Sequence, residues 1–513
     1  ASSSSGLSAP ASEQSSRAST PGPGAAMGEK MPDDSSKLKT FVGILKSETL
    51  LLHFLTAARP LTPTSRFIGV SDIAAVRFSL PAQLLEPIPN LGTPYQSYAV
   101  NNRLSNHPLR KYWHYLDRPD IFASIGDSDD ELGRLLACLR FWFTKDLKYV
   151  KGKPCKPYNS TLGEFFRYVL YHSHKNVLFL TSIQCQWETE DNVPVLQGNK
   201  VKSDAAASKV KVSYLTEQTS HHPPVSAYYV DCPQKGISAC GFDQISAKFT
   251  GTSIRVTPGV YNEGIYVTLH NWGNETYHLT HPAAYLGGFL RGTVVNPTLF
   301  GNVTNTSLGN LNVSVADTCF VTCKKTGIKV ILHYVEEGWL GKTQNKVEGV
   351  VYKCDVDNDN TTRIKDVPEK AIIGRIEGAW HDKVYFTRGS APAAKNPDKV
   401  LLIDVNPLFP VQKIVPPPEQ QLPNESRKFW NSVTEAILSR QYSKATTEKQ
   451  ELEERQRQKA ADRKARNAEW SPRFFTGATT PAGIPELTDE GKKVLIGLQN
   501  GDYHLEESKE TGA

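Results

Sequence analysis

The octapeptide Glu217-Gln218-Thr219-Ser220-His221-His222-Pro223-Pro224 combines two adjacent imidazoles with two consecutive prolines. A proline fixes its own φ at about −65° and biases the residue before it towards extended backbone. His221 and His222 therefore belong to a strand end or a turn, because a regular helix cannot contain this sequence. We interpret the octapeptide as a rigid holder for two titratable side chains.

Short segments of β-branched or alternating residues follow the octapeptide and are separated by Gly, Pro and Asn. This texture is typical of consecutive strands. The predicted strands lie at 225–230, 253–256, 265–270, 313–323, 329–335, 347–356 and 400–405. An open sheet of that size would expose an edge, so we predict a large antiparallel sheet that is curled or closed. The predicted fold class is mainly β with flanking α-helices.

Helical periodicity occurs on both sides of the predicted strands. Residues 131–147 carry a broad apolar stripe, which is most simply buried core. That stripe consists of Leu132, Leu135, Leu136, Leu139, Trp142 and Phe143. Residues 427–466 predict a helical stretch that opens with an apolar face. That face consists of Trp430, Val433, Ile437 and Leu438. The amphipathic segments 36–45 and 67–78 are interpreted as either a packed N-terminal helix or a movable lid.

The composition is that of an ordinary globular protein, since 39% of the 513 residues are hydrophobic and 22% are charged. No apolar run approaches the roughly 18 residues that a membrane-spanning helix needs. Residues 1–35 are rich in Ser, Ala, Pro and Gly and lack the apolar core of a secretory signal. They predict a disordered tail on a cytosolic protein.

The eight cysteines lack the paired spacing of a zinc ribbon or a disulfide framework. Cys319 and Cys323 share one face of a predicted strand, which leaves a metal site as an alternative to reduced structural thiols. We favour the thiols and expect neither a metal nor a cofactor.

Positive charge is concentrated in the C-terminal helical region. Residues 427–466 contain 11 Lys or Arg against 6 Asp or Glu, whereas the whole chain contains 59 against 53. Lys449, Glu453 and Arg457 follow one another at intervals of four, so a helix places them on one face. A solvated helix with internal ion pairs and an anion-binding face both remain open. A nucleic-acid partner is not expected, because no zinc finger, basic zipper or aromatic platform accompanies the charge.

The octapeptide resembles the signature of the oxysterol-binding protein family. The segment Lys156-Pro157-Tyr158-Asn159-Ser160-Thr161-Leu162-Gly163-Glu164 is similar to a second motif of that family, Lys-Pro-x-Asn-x-x-Leu-Gly-Glu. The pairs Leu80-Pro81 and Glu86-Pro87 and the helix with Lys449 also match in order and spacing. The resemblance covers about residues 36–475 and is closest to short fungal members.

The resemblance implies an incomplete antiparallel β-barrel around an apolar lipid tunnel, which an N-terminal lid closes. Many members exchange phosphatidylinositol 4-phosphate for phosphatidylserine or a sterol between organelle membranes. Carried over to this sequence, the phosphoinositide headgroup residues are Lys156, Asn159, His221, His222, Lys449, Glu453 and Arg457. The lid residues are Leu80, Pro81, Leu84 and Leu85. The implied organisation is a tail at 1–35, a lipid-binding domain at 36–475 and a C-terminal extension at 476–513.

The chemistry of these residue types suits a phosphate monoester, which carries about −1.5 to −2 charges near neutral pH. The lysines and arginine supply positive charge, and arginine can bind two oxygens in parallel. The imidazoles donate N–H bonds and gain protons as pH falls, so headgroup affinity should rise towards about pH 6. Glu453 is a poor phosphate ligand and is expected to orient the cations or to accept an inositol hydroxyl.

Two alternatives to lipid transfer remain. One is a lipid sensor or scaffold with the same fold and no net transport. The other is an enzyme that uses the histidines as acid and base on a phosphate ester, although the sequence lacks an evident nucleophile with a positioned partner. We favour a non-enzymatic, cytoplasmic carrier that contacts anionic organelle membranes peripherally, including at membrane contact sites.

Three stretches of 17 to 20 residues, at 47–66, 92–111 and 168–184, interrupt the resemblance. Removing 168–184 restores a continuous Phe-Phe-Arg-Cys-Gln-Trp that is similar to the family sequence. We hypothesise that these stretches are translated introns of an uncorrected gene model. Genuine surface insertions are the alternative, although tolerated insertions concentrate at exposed loop tips and these stretches fall where the family sequence would run on.

Overall fold

The structure is a computed structural model that describes residues 85–89, 115–145, 147, 156–172, 210–250, 254–287, 312–335, 345–390, 399–411, 413–476 and 483–507. The predicted tail at 1–35 and the amphipathic segments 36–45 and 67–78 lie outside these ranges. So do the lid residues Leu80, Pro81 and Leu84 and the interruptions at 47–66 and 92–111. Leu85 lies inside the described part, where it begins a strand.

A single large antiparallel sheet dominates the described part of the chain. Its fifteen strands are β3 (Phe165–His172), β4 (Val210–His221), β5 (Pro224–Cys232), β6 (Ile237–Asp243), β7 (Ile245–Phe249), β8 (Ile254–Pro258), β9 (Ile265–Leu269), β10 (Glu275–Leu279), β11 (Ala283–Gly287), β12 (Asn312–Cys323), β13 (Ile328–Tyr334), β14 (Lys346–Lys353), β15 (Ile372–Ala379), β16 (Lys383–Arg388) and β17 (Val400–Asp404). Every predicted strand is confirmed, with ends that differ by at most three residues.

The strands follow the order β17-β16-β15-β14-β13-β12-β10-β9-β6-β5-β4-β3, and β11, β8 and β7 extend from β12. The two ends of this path, β3 and β17, are not paired with each other among the described strands. The predicted mainly β fold is therefore confirmed as a curled, incomplete barrel. A separate parallel pair, β1 (Leu85–Pro89) and β2 (Lys156–Tyr158), lies beside it.

A buried helix fills the inside of the curled sheet. Helix α1 (Pro119–Ala123) precedes α2 (Glu131–Thr144), and the Asp130 side chain caps α2 by accepting the Gly133 N–H at 2.8 Å. The whole predicted apolar stripe of α2 is buried and packs with inward-facing residues of the sheet in one core. Arg134 also fixes α2 to β10 through a bidentate pair with Glu275, with N–O distances of 2.9 and 2.8 Å.

The C-terminal helical region is broken where the sequence pattern predicted a continuous stretch. It forms α3 (Ser426–Phe429), α4 (Asn431–Leu438) and α5 (Tyr442–Ala465). Arg440 adopts a left-handed φ of 59° between α4 and α5. This reversal lets both helices pack on one apolar cluster, whereas a straight helix would carry α5 away from it. None of the described helices is long and apolar enough to cross a membrane.

The last described segment returns to the sheet. Strands β18 (Phe475–Thr476) and β19 (Glu486–Leu487) form a short hairpin, and α6 (Asp489–Asn500) follows. Val494, Leu495 and Leu498 of α6 are buried in a cluster with residues of β3, β4 and β5. Residues beyond 475 thus contribute to the packing of the sheet.

Residues 168–172, the start of the third interruption, continue strand β3. Tyr168, Val169 and Leu170 are fully buried, and Tyr168 stacks on Tyr214 of β4 at a centroid distance of 4.7 Å. Residues 168–170 therefore belong to the core and not to an exposed loop tip. The remainder of the interruption, 173–184, lies outside the described residues, and the intron hypothesis stays a prediction.

Candidate functional site

The two signature segments lie side by side in the sheet. Phe165 of β3 is opposite Glu217 of β4. At the end of this pairing, the Gln218 N–H donates to the Glu164 carbonyl at 2.8 Å, and the Gly163 N–H donates to the Gln218 carbonyl at 3.1 Å. Gly163 has a φ of +75°, which a glycine adopts without strain. The backbone of one motif thus holds the other.

The histidine pair occupies the turn between β4 and β5, as predicted. His221 is the last residue of β4 and pairs with Pro224, the first residue of β5. The two imidazole rings lie 4.5 Å apart, and His222 is exposed while His221 is half-buried. The strand therefore presents both rings at its end.

The first half of the octapeptide is buried. Glu217 and Gln218 are each 1% exposed. The Gln218 amide donates to the Ser220 carbonyl at 2.8 Å and accepts from the Ser226 hydroxyl at 3.1 Å. These contacts stabilise the hairpin that carries the histidines. The sequence analysis did not assign this role, although the polar residues of an otherwise apolar strand were the signal for it.

The Lys156 segment forms β2 and continues into an exposed residue, Asn159. Tyr158, between them, is fully buried against Trp430 at a centroid distance of 4.7 Å. Its hydroxyl lies 3.1 Å from the Thr434 hydroxyl on α4. The strand that contains the backbone of Lys156 is therefore fixed directly to the C-terminal helices.

Helix α5 brings Lys449 to the same apolar cluster. Ala445 and Leu452 pack in the cluster that contains Tyr158, and Lys449 lies between them on one helix face. Lys449 is only 2% exposed, and its ammonium donates to the Glu453 carboxylate at 2.7 Å. The predicted orientation of a cation by Glu453 is therefore present in the geometry.

Arg457 differs from the other two residues of the predicted face. Its side chain is 62% exposed, and its guanidinium pairs with Glu454 at 2.8 Å. It lies one turn beyond Glu453, at the spacing that the sequence predicted. The structure thus brings Lys449 and Glu453 together and places Arg457 in a separate, solvated ion pair.

Glu164 is a buried carboxylate that the sequence analysis did not assign to the site. It accepts hydrogen bonds from the Thr161 N–H at 3.0 Å, the Ser426 hydroxyl at 2.6 Å and the Trp430 indole at 3.1 Å. Burial raises the pKa of its carboxyl to about 7, against the lowering effect of these donors. Glu164 thereby joins the Asn159 loop to α3 and to the start of α4. Its place at the end of the Leu-Gly-Glu motif was the available signal.

The described residues contain no group of three or more His, Cys, Asp or Glu side chains arranged to hold a metal ion. Cys319 and Cys323 are free, fully buried thiols on β12. Burial raises the pKa of the Cys319 thiol. Both cysteines therefore resemble apolar core residues in their surroundings.

Comparisons with known proteins identify the family of this chain. A sequence model described as oxysterol-binding protein matches residues 100–443. The chain is 39% identical to oxysterol-binding protein-like protein 1 of Schizosaccharomyces pombe, over 85% of this chain and 90% of that protein. It is 28% identical to human oxysterol-binding protein-related protein 9, over 72% of this chain and 42% of that longer protein.

A solved structure of the Osh1 ORD domain in complex with ergosterol has the same fold. It superposes with a TM-score of 0.54 at 19% identity, over 92% of this chain and 99% of that domain. The sequence matches cover most of the chain and include both signature segments. The protein belongs to the oxysterol-binding protein family.

Proposed function

We propose that this protein is a lipid-transfer protein that binds phosphatidylinositol 4-phosphate and exchanges it for phosphatidylserine or a sterol. The observation that carries the proposal is the junction around Glu164. Its carboxylate binds the loop after Asn159 and the start of α4, and its carbonyl binds the octapeptide. Two segments with phosphate-binding residue types are thus fastened to the helix that precedes α5, on which Lys449 lies.

The electrostatics of that place favour an anion. Lys449 is almost fully buried, and a buried ammonium needs a counter-charge. Glu453 supplies one negative charge, and a phosphate monoester at the same position would supply more. His221 and His222 would gain protons as the anion approaches, which strengthens their N–H bonds. Arg457 would exchange its solvated partner Glu454 for the headgroup.

The second lipid is proposed from sequence resemblance. Residues 84–91, together with 112–118, resemble the fungal members that carry phosphatidylserine, whereas the Osh1 domain of the same fold was solved with ergosterol. Mass spectrometry of lipids that copurify with the protein would distinguish the two. Recovery of neither lipid would contradict the exchange part of the proposal.

The headgroup assignment is tested by changing both histidines. His221→Ala with His222→Ala should abolish extraction of phosphatidylinositol 4-phosphate from liposomes, because two donors at the strand end are lost. Extraction of the second lipid should remain largely intact. Equal loss of both lipids would show instead that the octapeptide only supports the fold.

Transport is separated from sensing by following lipid movement between two liposome populations. Lipid transfer from donor to acceptor liposomes supports the carrier, and saturable binding without transfer supports the sensor. Release of inorganic phosphate from the phosphoinositide, abolished by the histidine substitutions, would support the enzyme instead.

We also propose that the carrier works in the cytoplasm and contacts anionic organelle membranes, including at membrane contact sites, with no nucleic-acid partner.

A further inference from the structure

A seven-residue strap, residues 470–476, crosses both signature segments on the outside of the sheet. Trp470 lies over Gly163, so close that a methyl group on that glycine would sit 3.6 Å from the indole ring. The Phe474 ring packs edge-on against Phe165 at a centroid distance of 4.9 Å. The strap therefore contacts the end of the Lys156 motif and the first residue of β3.

The same strap is bound to the octapeptide by Glu217. One carboxylate oxygen accepts the Arg473 N–H at 2.8 Å, and the other accepts the Phe474 N–H at 2.9 Å. Glu217 is 1% exposed, so each oxygen has exchanged water for a backbone donor. Two consecutive N–H groups match a carboxylate, whereas an amide would place its own donor against one of them.

The strap is itself held firmly from the other side. The Thr488 N–H donates to the Phe474 carbonyl at 2.9 Å, and the Thr488 hydroxyl donates to the Arg473 carbonyl at 2.8 Å. Thr488 also caps α6, which packs on β3 and β4. The Gln499 amide of α6 donates to the Ser213 hydroxyl of β4 at 2.6 Å. The strap thus connects a docked helix to the strand that ends at His221.

We propose that Glu217 and the strap position the headgroup site. Glu217 clamps the strap across β3 and β4, and the strap fixes how the Asn159 loop and the histidine turn lie relative to each other. Glu217 lies four residues before His221 on the same strand. It is a positioning residue, because its carboxylate is already bound to backbone donors on the outside of the sheet. This inference rests on the proposed phosphoinositide function.

The test compares two buried carboxylates. Glu217→Gln keeps the side-chain volume and loses one acceptor. The matched control is Glu275→Gln. It replaces a similarly buried carboxylate, which forms an ion pair with Arg134 inside the barrel. Thermal unfolding measures the stability loss of each variant. Binding is measured with phosphatidylcholine liposomes that contain phosphatidylinositol 4-phosphate.

We expect Glu217→Gln to weaken phosphoinositide binding about tenfold, because leaving one buried hydrogen-bonding group unpaired costs on the order of the 1.4 kcal/mol that a tenfold change represents. Glu275→Gln should bind normally at a comparable loss of melting temperature. Trp470→Ala should reproduce the Glu217→Gln defect, and Trp470→Phe should restore binding because it keeps a ring over Gly163. Losses that simply follow melting temperature in all variants would overturn the proposal.

Amide hydrogen exchange without lipid separates the clamp from the function. Glu217→Gln should raise exchange in 217–224 and 470–476 and leave 346–353 unchanged. Unchanged exchange in the first two segments would overturn the clamp itself. If the wild-type protein binds no phosphatidylinositol 4-phosphate while the clamp responds as expected, the proposed function fails, and the positioning role fails with it.

Discussion

Glu164 and Glu217 are buried carboxylates that join the two signature segments to C-terminal residues. Each accepts hydrogen bonds from C-terminal residues, and burial raises the pKa of each carboxyl to about 7. Leaving such a group without its partners costs about 1–3 kcal/mol or more. The signature motifs therefore contain structural acids beside their binding residues.

The raised pKa of Glu164 predicts a specific pH dependence of stability. An unfolded glutamate has a pKa of about 4.3, so between about pH 4.5 and 7 the folded state binds more protons than the unfolded state. The stability contributed by Glu164 is then full below this window and is lost as pH rises through about 7. Glutamine does not titrate. The melting temperature of the wild type should therefore exceed that of Glu164→Gln by more at about pH 5 than at about pH 8.

Thermal unfolding across this range checks the prediction. Glu435→Gln is the control, because Glu435 is exposed on α4 and should show no such pH-dependent difference. A difference for Glu164→Gln that stays constant from about pH 5 to about pH 8 would contradict the prediction, because it would mean that the hydrogen bonds keep the folded carboxylate ionised throughout.

At the scale of elements, the position of α5 depends on a few buried apolar residues within a charge-rich sequence. It contains few apolar residues, and Tyr442, Ala445 and Leu452 are the ones that dock it on the cluster of Tyr158 and Trp430. The rest of its surface is charged and mostly exposed. Lys449 keeps its position only while this narrow face stays docked.

Leu452→Ala should release α5 from the cluster. The substitution removes a side chain that is 7% exposed, and such changes cost about 2–5 kcal/mol. We expect faster amide exchange throughout α5 and weaker phosphoinositide binding, because Lys449 loses its fixed place. Leu438→Ala on α4 is the matched control, since Leu438 is 49% exposed and should change neither quantity. Equal effects of both substitutions would contradict this account of docking.

At the scale of the whole molecule, charge is distributed unevenly. The basic surplus of residues 427–466 lies on the helices that hold Lys449, next to the strand of Lys156. This arrangement favours an approach to anionic membranes with the proposed headgroup site turned towards the lipid. Each basic residue near such a surface contributes about 1 kcal/mol.

Charge reversal on the exposed part of α5 should therefore weaken membrane binding. Arg455→Glu with Lys464→Glu should reduce binding to liposomes that contain phosphatidylserine, and high salt should remove most of the difference by screening. Lys365→Glu with Lys370→Glu, at exposed positions outside the helical region, is the matched control. Sedimentation with liposomes measures the binding of both double variants. Binding that changes neither with the content of anionic lipid nor with salt would refute the electrostatic contribution.

The intron hypothesis also belongs to the whole chain. If 168–184 is a translated intron, mass spectrometry of the native protein should find no peptide from it. Detection of such a peptide would establish Tyr168 and its neighbours as native residues of β3. It would also make the stacked Tyr168 and Tyr214 part of the native core.

The sequence by itself determined seven of the fifteen strands of the sheet, helix α2 and the residue types of the two signature segments, because periodicity and proline geometry are local properties of the chain. The tertiary structure decided which residues meet. Trp430 reaches Glu164 across 266 positions, and Arg473 reaches Glu217 across 256. It also decided that Lys449 pairs with Glu453 while Arg457 pairs with Glu454. The contacts of Glu164 and Glu217 depend on how distant segments pack. The difference between the buried Lys449 pair and the exposed Arg457 pair depends on which face of α5 docks on the apolar cluster, and the charge spacing along the helix predicts neither.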